Sequence, residues 1–366
     1  MGVTIAREDV LGFRVRAQQL DRRNGPLSET AVFDAGVQDT RPDGGLWALA
    51  IRGVDVAALP GDELAGVWTI RGAPHLYRRA DLPAVAKAVW PWSEADAGKR
   101  IFDAAKPLRE AGIDALAALD VVASAMRSVV TEPLVKGEVS TRVSRMMDPP
   151  YLRFCRSCDA THLYELPFRL AALRAGLELQ AGTSPPVLEP IPGFEPAART
   201  PEQYDVVRTY LRLLGPATPK QLAEYLDSPI KEVKAHWPAD AVDVTVDGET
   251  RSALSADMDA LTAGPARTTQ LLGPYDLYLQ GRDRALLVSD AARAKVLWPV
   301  LGRPGGVLVD GEIAGTWRPR KVGKKLKVQI GMWTKDSARL RGAIAEEAER
   351  LAAYRGVPLA DVDFTA

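Results

Sequence analysis

Cysteine is nearly missing from this chain. Cys155 and Cys158 are the only two in 366 residues, too few for a disulfide framework and in keeping with a reducing compartment. Net charge is missing as well, since 47 Lys+Arg face 47 Asp+Glu. That balance excludes a polybasic arm and an acidic disordered chain, and it removes long-range attraction to nucleic acid unless some surface is locally basic. No segment approaches the roughly 18 consecutive apolar residues of a membrane-spanning helix; even the stretch 113–130 is broken by Asp114, Asp120 and Arg127. The opening residues show no basic region followed by an apolar one and no cleavage site, so a cytoplasmic address is expected. There is no Gly-rich phosphate loop, no nucleophile elbow and no His-Glu-x-x-His, which sets aside nucleotide cofactors, nucleotide hydrolysis and metalloprotease chemistry.

What remains is ordinary folding material, 46 % hydrophobic and 26 % charged, enough for two or three domains with a sizeable core. In residues 7–20, Val10, Phe13, Ala17 and Leu20 recur at helical spacing until Asn24-Gly25-Pro26. Ser28 opens a short helical stretch to Gly36, and Pro42-Asp43-Gly44-Gly45 is a turn before an apolar segment at 46–51. A strand at 67–71 and a loop at 72–77 complete the order of a winged helix. Residues 81–130 read as three further helices, the second opened by Ser93. A short helix at 136–143, a strand at 151–154 and a helix at 166–177 follow. Five prolines within 183–200 mark a linker. Beyond it, helices at 201–214, 219–226 (capped by Thr218) and 229–237 (capped by Ser228) precede alternating Val242, Val244 and Val246 and an Asp247-Gly248 hairpin turn. From about 271 the chain shows short β runs at 286–288, 306–309, 313–317 and 326–330, with Asp310-Gly311-Glu312 as a hairpin turn and a closing helix at 337–354.

The expected fold is therefore mainly α with small β elements. It comprises tandem winged-helix (helix-turn-helix) units at 1–80, 81–182 and 201–260, the linker at 183–200, and a C-terminal β region at 261–366. Trp68-Thr-Ile-Arg-Gly72 with His75, Leu166-Pro-Phe-Arg-Leu-Ala-Ala-Leu-Arg-Ala-Gly176, Leu271-Leu-Gly-Pro-Tyr-Asp-Leu-Tyr-Leu279 and Val309-Asp-Gly-Glu-Ile-Ala-Gly-Thr-Trp317 lie along nearly the whole chain. Together they resemble the landmarks of the winged-helix DNA-binding family that includes the AlkZ-like DNA glycosylases. The resemblance implies a cofactor-free, monofunctional glycosylase acting on double-stranded DNA, excising bulky N-alkylated purines or unhooking crosslinks in repair or self-resistance. A monomer is expected.

The active-site motif in that family is Gln, any residue, then Gln or Asp, and it falls on Gln38, Asp39 and Thr40. Thr40 departs from it, being shorter and unable to act as a base. The resemblance gives Gln38 the attacking water and leaves Asp39 to stabilise the sugar cation or accept a proton. A plain structural role, capping the Pro42 turn, fits the same two residues. His75 is a family landmark and a candidate DNA contact, although an imidazole in an apolar loop is more often structural.

Arg318, Arg320, Lys321, Lys324, Lys325 and Lys327 are six cations in ten residues without an acid, the strongest charge signal in the chain. A hairpin tip of this kind suits a groove or a line of phosphates. Lys231 and Lys234 share one face of the second helix of the helix-turn-helix, but Asp227 and Glu232 nearby weaken sequence reading. Cys155, Cys158 and His162 have part of a zinc ligand set, with His75 or His236 as remote completions. With no second paired cluster nearby, a buried cysteine pair at a strand end is expected and no metal. Trp90 and Trp92 around Pro91 read as packing. Two further readings stay open: a non-catalytic DNA binder, which Thr40 favours, and a scaffold for protein partners, which the zero net charge favours.

Overall fold

In the computed structural model, residues 3–40, 44–335 and 337–365 are described, so Pro42 and Asp43 of the expected turn lie outside the described residues. The chain is mainly helical with several sheets. No described helix is long and apolar enough to cross a membrane.

Local signals decide residues 201–260. Asp205 accepts hydrogen bonds from the Val207 and Arg208 N–H groups, which starts the helix at Val206–Leu214 rather than at Pro201. Thr218 and Gln221 form a reciprocal capping box at Pro219–Leu226. The third helix is only Ile230–Ala235: Pro229 stands at its N-cap, and the Ser228 hydroxyl, expected as the cap, is buried without a partner. Strands Ala241–Val246 and Glu249–Leu254 follow, joined by Asp247 and Gly248 at φ 50° and 78°. Val3–Thr4 adds a third strand, parallel to Ala241–Val246.

The C-terminal region is a five-stranded sheet in the order Thr269–Leu272, Gly305–Val309, Glu312–Val322, Lys325–Met332, Leu359–Thr365. The helix Ala338–Tyr354, capped by Ser337, carries the chain to the last strand, which pairs parallel with Lys325–Met332 and was not anticipated. The run at 286–288 belongs to a helical turn, Arg284–Leu287, not a strand. Its apolar residues are buried, but three apolar residues fit either period.

The expected boundaries do not separate independent bodies. Val10, Leu11, Phe13 and Val15 of helix Arg7–Ala17 share a core with Leu271, Val307, Ile313 and Trp317. At Gly12 a side chain would stand 2.5 Å from the Gly264 carbonyl oxygen, so the close approach requires glycine. Arg14, fully buried, forms a two-pronged pair with Asp283 at 3.1 and 2.6 Å, and Arg52 does the same with Asp276 at 2.8 and 2.9 Å. Trp47 Nε1 donates to the Leu271 carbonyl at 2.7 Å. An amphipathic pattern shows which face is buried and not which partner covers it.

A six-stranded sheet runs Val37–Gln38, Pro74–Arg78, Leu64–Trp68, Leu177–Leu179, Val187–Pro190, Leu134–Val135, crossing the expected limits at 80 and 182. The Pro-rich stretch 183–200 supplies one of these strands and is not a free linker. Residues 28–36 form two 3-10 turns, Leu27–Glu29 and Ala31–Asp34. Between 81 and 130 there are four helices, Leu82–Ala88, Glu94–Arg100, Ala105–Glu110 and Ala115–Val129. Ser93 caps the second by accepting from the Asp96 N–H. The last buries Ala118, Leu119, Val122 and Met126 on one face. The hairpin Leu152–Cys155 and Ala160–Leu163 forms a two-stranded sheet of its own.

Candidate active site and nucleic-acid interface

Gln38 ends a short strand, Val37–Gln38, and Asp39 and Thr40 follow it. Gln38 and Thr40, two apart, meet on one side, where Gln38 Nε2 donates to Thr40 Oγ1 at 3.0 Å. Asp39 points the other way, and its Oδ1 accepts the Gly45 N–H at 2.7 Å in the first turn of helix Gly44–Ala50. A Cβ on Gly44 would fall 2.1 Å from that same oxygen, so the glycine makes room for the contact. The carboxylate expected beside the sugar is committed to starting a helix.

Gln38 lies directly opposite His75 in the antiparallel pairing of Val37–Gln38 with Pro74–Arg78, so the two project to the same face. His75 is 3 % exposed and so is not placed as a surface contact to DNA. Its Nδ1 lies 2.9 Å from both the Ala73 carbonyl and the Thr69 hydroxyl. A carbonyl only accepts, so Nδ1 carries the proton. Burial drives the imidazole down to about 4, against the Ala73 hydrogen bond and with help from the Arg71 charge, so it is neutral near pH 7.

Arg71 opens a feature that no charge run announced. Its guanidinium donates to the Tyr225 carbonyl and lies 5.0 Å over the Tyr225 ring, on a residue held at φ 57°. Burial lowers its pKa, and the nearby positive charges of Arg282 and Arg303 push the same way, partly offset by Tyr225 and Asp227. Arg284, stacked 4.9 Å over Trp298, is lowered by burial and then by Arg282 and Arg303. Arg282 Nε is buried without a partner. Four arginines therefore crowd together at a cost that an anion would relieve. They come from three separate segments, the 3-10 turn Ile70–Gly72, residues 282–284 and Arg303, leaving only Arg282-Asp283-Arg284 as a faint signal.

Arg303 also lines a groove of about 290 Å³ with Pro274, Trp317, Arg318 and Arg320, which joins the arginine cluster to the basic hairpin. In that hairpin Arg318, Arg320 and Val322 pair with Gln329, Lys327 and Lys325, so Arg318, Arg320, Lys325 and Lys327 share the face away from buried Leu326 and Val328. Lys321 projects to the other face and Lys324 stands in the turn beside Gly323, at φ 59°. Lys327 does not present a free charge: Asp361 at 3.6 Å and Asp363 at 3.1 Å flank it from the last strand and raise its pKa. Lys231 and Lys234 are exposed on helix Ile230–Ala235. Trp92 stacks on His236, with centroids 4.3 Å apart and planes at 14°, and Trp90 lies under Arg174, so both tryptophans act in packing.

Cys155 is half-buried and Cys158 exposed, against the expected buried pair, because they sit at the turn of the separate hairpin. Hydrogen bonds from Ser157, then His162, then Cys158 lower the Cys155 thiol to about 6.

A mainly helical chain that holds Gln38 at the edge of one sheet and a basic hairpin inside another has a counterpart among solved structures. Streptomyces sahachiroi DNA glycosylase AlkZ resembles it with a TM-score of 0.74 at 20 % identity, over 99 % of this chain and 100 % of that one. A family model, DNA glycosylase AlkZ-like, matches residues 35–354, and the chain belongs to that family. No curated protein sequence matches it.

Proposed function

We propose that this protein is a monomeric, cofactor-free DNA glycosylase that hydrolyses the N-glycosidic bond of bulky N-alkylated purines, or unhooks crosslinks, in duplex DNA. The reading is carried by the 3.0 Å hydrogen bond joining Gln38 to Thr40 at the place of the family's motif. With its amide N–H turned to Thr40, Gln38 offers its carbonyl oxygen to a water, and the Thr40 hydroxyl supplies a second polar contact. An N7-alkylated purine is already cationic. When the C1′–N bond breaks, the electron pair neutralises the leaving base, water oxygen bonds the oxocarbenium-like C1′, and the water proton passes to solvent. Orientation of water is then the main demand on the protein, and neutral side chains meet it. Asp39 acts as a positioning residue through Gly45.

In this reading the chain carries winged-helix units packed into one another rather than standing as separate bodies. The helix-plus-hairpin order of residues 201–260 supports this best. Arg71, Arg282, Arg284 and Arg303 take backbone phosphates beside the water site, and Arg318, Arg320, Lys321, Lys324 and Lys325 continue the path along the duplex, with Lys231 and Lys234 as outer contacts.

The test is release of N7-alkylguanine from a defined alkylated duplex. Gln38→Ala is expected to slow release about tenfold or more, some 1.4 kcal/mol of barrier, with DNA affinity retained. Thr40→Ala is expected to act in the same direction. The departure at Thr40 favours one rival, a non-catalytic lesion binder, which would hold the duplex and release no base at all.

A further inference from the structure

The hairpin Leu152–Cys155 and Ala160–Leu163 pairs with no other strand among the described residues, and an isolated two-stranded hairpin is marginal in water. Its tie to the body of the protein is at one end, where Leu163 is buried in the core and its N–H donates to Ser144 Oγ at 2.8 Å. At its turn Cys155 Sγ and Cys158 Sγ lie 3.3 Å apart, and one ligand atom each from Cys155, Cys158 and His162 fall within 4.8 Å of one another. A tetrahedral zinc with Zn–S bonds of about 2.3 Å holds two sulfurs roughly 3.8 Å apart, so small side-chain rotations bring the set to coordination distance. A disulfide would need about 2.05 Å.

Orientation of the imidazole adds an independent sign. His162 Nδ1 lies 2.8 Å from the Leu163 carbonyl, which can only accept, so Nδ1 keeps a proton and Nε2 is the nitrogen left to face the thiols, where a metal can take the place of its proton. Metal-bound histidines are fixed by such a bond from their other nitrogen. The turn has the tight form of a metal knuckle: the Cys158 N–H bonds back to the Cys155 carbonyl at 3.2 Å, and Asp159 takes φ 48°. Neither His75 nor His236 belongs to the group, since one is buried in the six-stranded sheet and the other is stacked on Trp92.

We propose that Cys155 Sγ, Cys158 Sγ and His162 Nε2 bind one zinc ion, with water in the fourth position on the exposed side of Cys158, and that the metal clips the hairpin shut. Binding releases the thiol protons to solvent and involves no redox step. The site is separate from the Gln38 water site, and its test does not depend on glycosylase activity.

The experiment uses the full chain, purified without chelator under reducing conditions. One equivalent of zinc per chain is expected, and cobalt added to the stripped protein should give thiolate-to-metal charge-transfer absorption with tetrahedral ligand-field bands. Cys155→Ser, Cys158→Ser and His162→Ala are each expected to weaken zinc binding about tenfold or more. Because a variant can fail for want of folding, thiol alkylation of the unmutated chain gives a second readout: one equivalent of zinc should protect both cysteines. Zinc content well below stoichiometric together with unprotected thiols, cobalt spectra without sulfur character, an as-purified Cys155–Cys158 disulfide, or equal zinc retention by folded variants would each overturn the proposal.

Discussion

If the basic hairpin lies along DNA, its share of the salt dependence follows from which of its charges are available. Arg318, Arg320, Lys321, Lys324 and Lys325 have no carboxylate partner among the described residues, whereas Lys327 is held by Asp361 and Asp363. Neutralising a phosphate with each of five cations contributes about −4.5 to the slope of log K against log salt, roughly 500-fold between about 50 and 200 mM. The triple variant Lys321→Gln, Lys324→Gln, Lys325→Gln should cut the slope by about 2.7 and leave roughly a 12-fold loss over that range from the hairpin. Lys327→Gln should leave the slope within about 0.3 of its starting value. Fluorescence anisotropy of a labelled duplex, titrated at a series of potassium chloride concentrations, reads both slopes. A triple variant with an unaltered slope would remove the hairpin from the interface. A Lys327→Gln slope reduced by about 0.9, as for a free lysine, would refute the argument that the last strand withdraws that charge.

Two further outcomes are expected. His75 has a folded-state pKa of about 4 against an ordinary 6.5, so the unfolded chain binds the extra proton first and stability falls as pH drops from about 6.5 toward 4. The depressed value corresponds to about 3 kcal/mol across that window, and urea melts of His75→Asn should show the acid-side decline reduced by that order. Asp283 accepts from Arg14 and, at 2.7 Å, from Arg251; burial pushes its carboxyl up, but the two guanidiniums outweigh that and hold it below the usual range. Asp283→Ala strands two buried arginines and is expected to cost about 3 to 5 kcal/mol in urea unfolding, with Asp283→Asn milder.

What could be read from the sequence was what is encoded locally. Thr218 with Gln221, Ser93 with Asp96 and the turns at Asp247-Gly248 and Asp310-Gly311 each act within a few residues, and the structure has them where expected. Ser228 failed because the helix begins one residue later than expected, which puts Pro229 at the N-cap and leaves the Ser228 hydroxyl outside it. The last strand was missed although Asp361 and Asp363 alternate with Val362 and Phe364 in the period of a strand. Prolines at 183–200 suggested a linker, yet Val187–Pro190 closes a sheet between two other segments. At the site, the spacing of Gln38 and Thr40 was visible and their contact was implicit in it. The arginine cluster was not, since residues 71, 282, 284 and 303 become neighbours only through the fold.

The stitching of the first fifty residues into the last hundred also bears on how the chain is made. Arg14 and Arg52 meet their carboxylates 269 and 224 positions downstream, and the helix that follows Gln38 leans through Trp47 on the Leu271 carbonyl. During synthesis the amino-terminal segment must wait, with cationic side chains and apolar faces uncovered, until most of the polypeptide has left the ribosome. Such late closure ties the Gln38–Thr40 pair to completion of the whole chain, so a fragment released early leaves apolar faces open to proteases. A site assembled in this way is present in full or not at all.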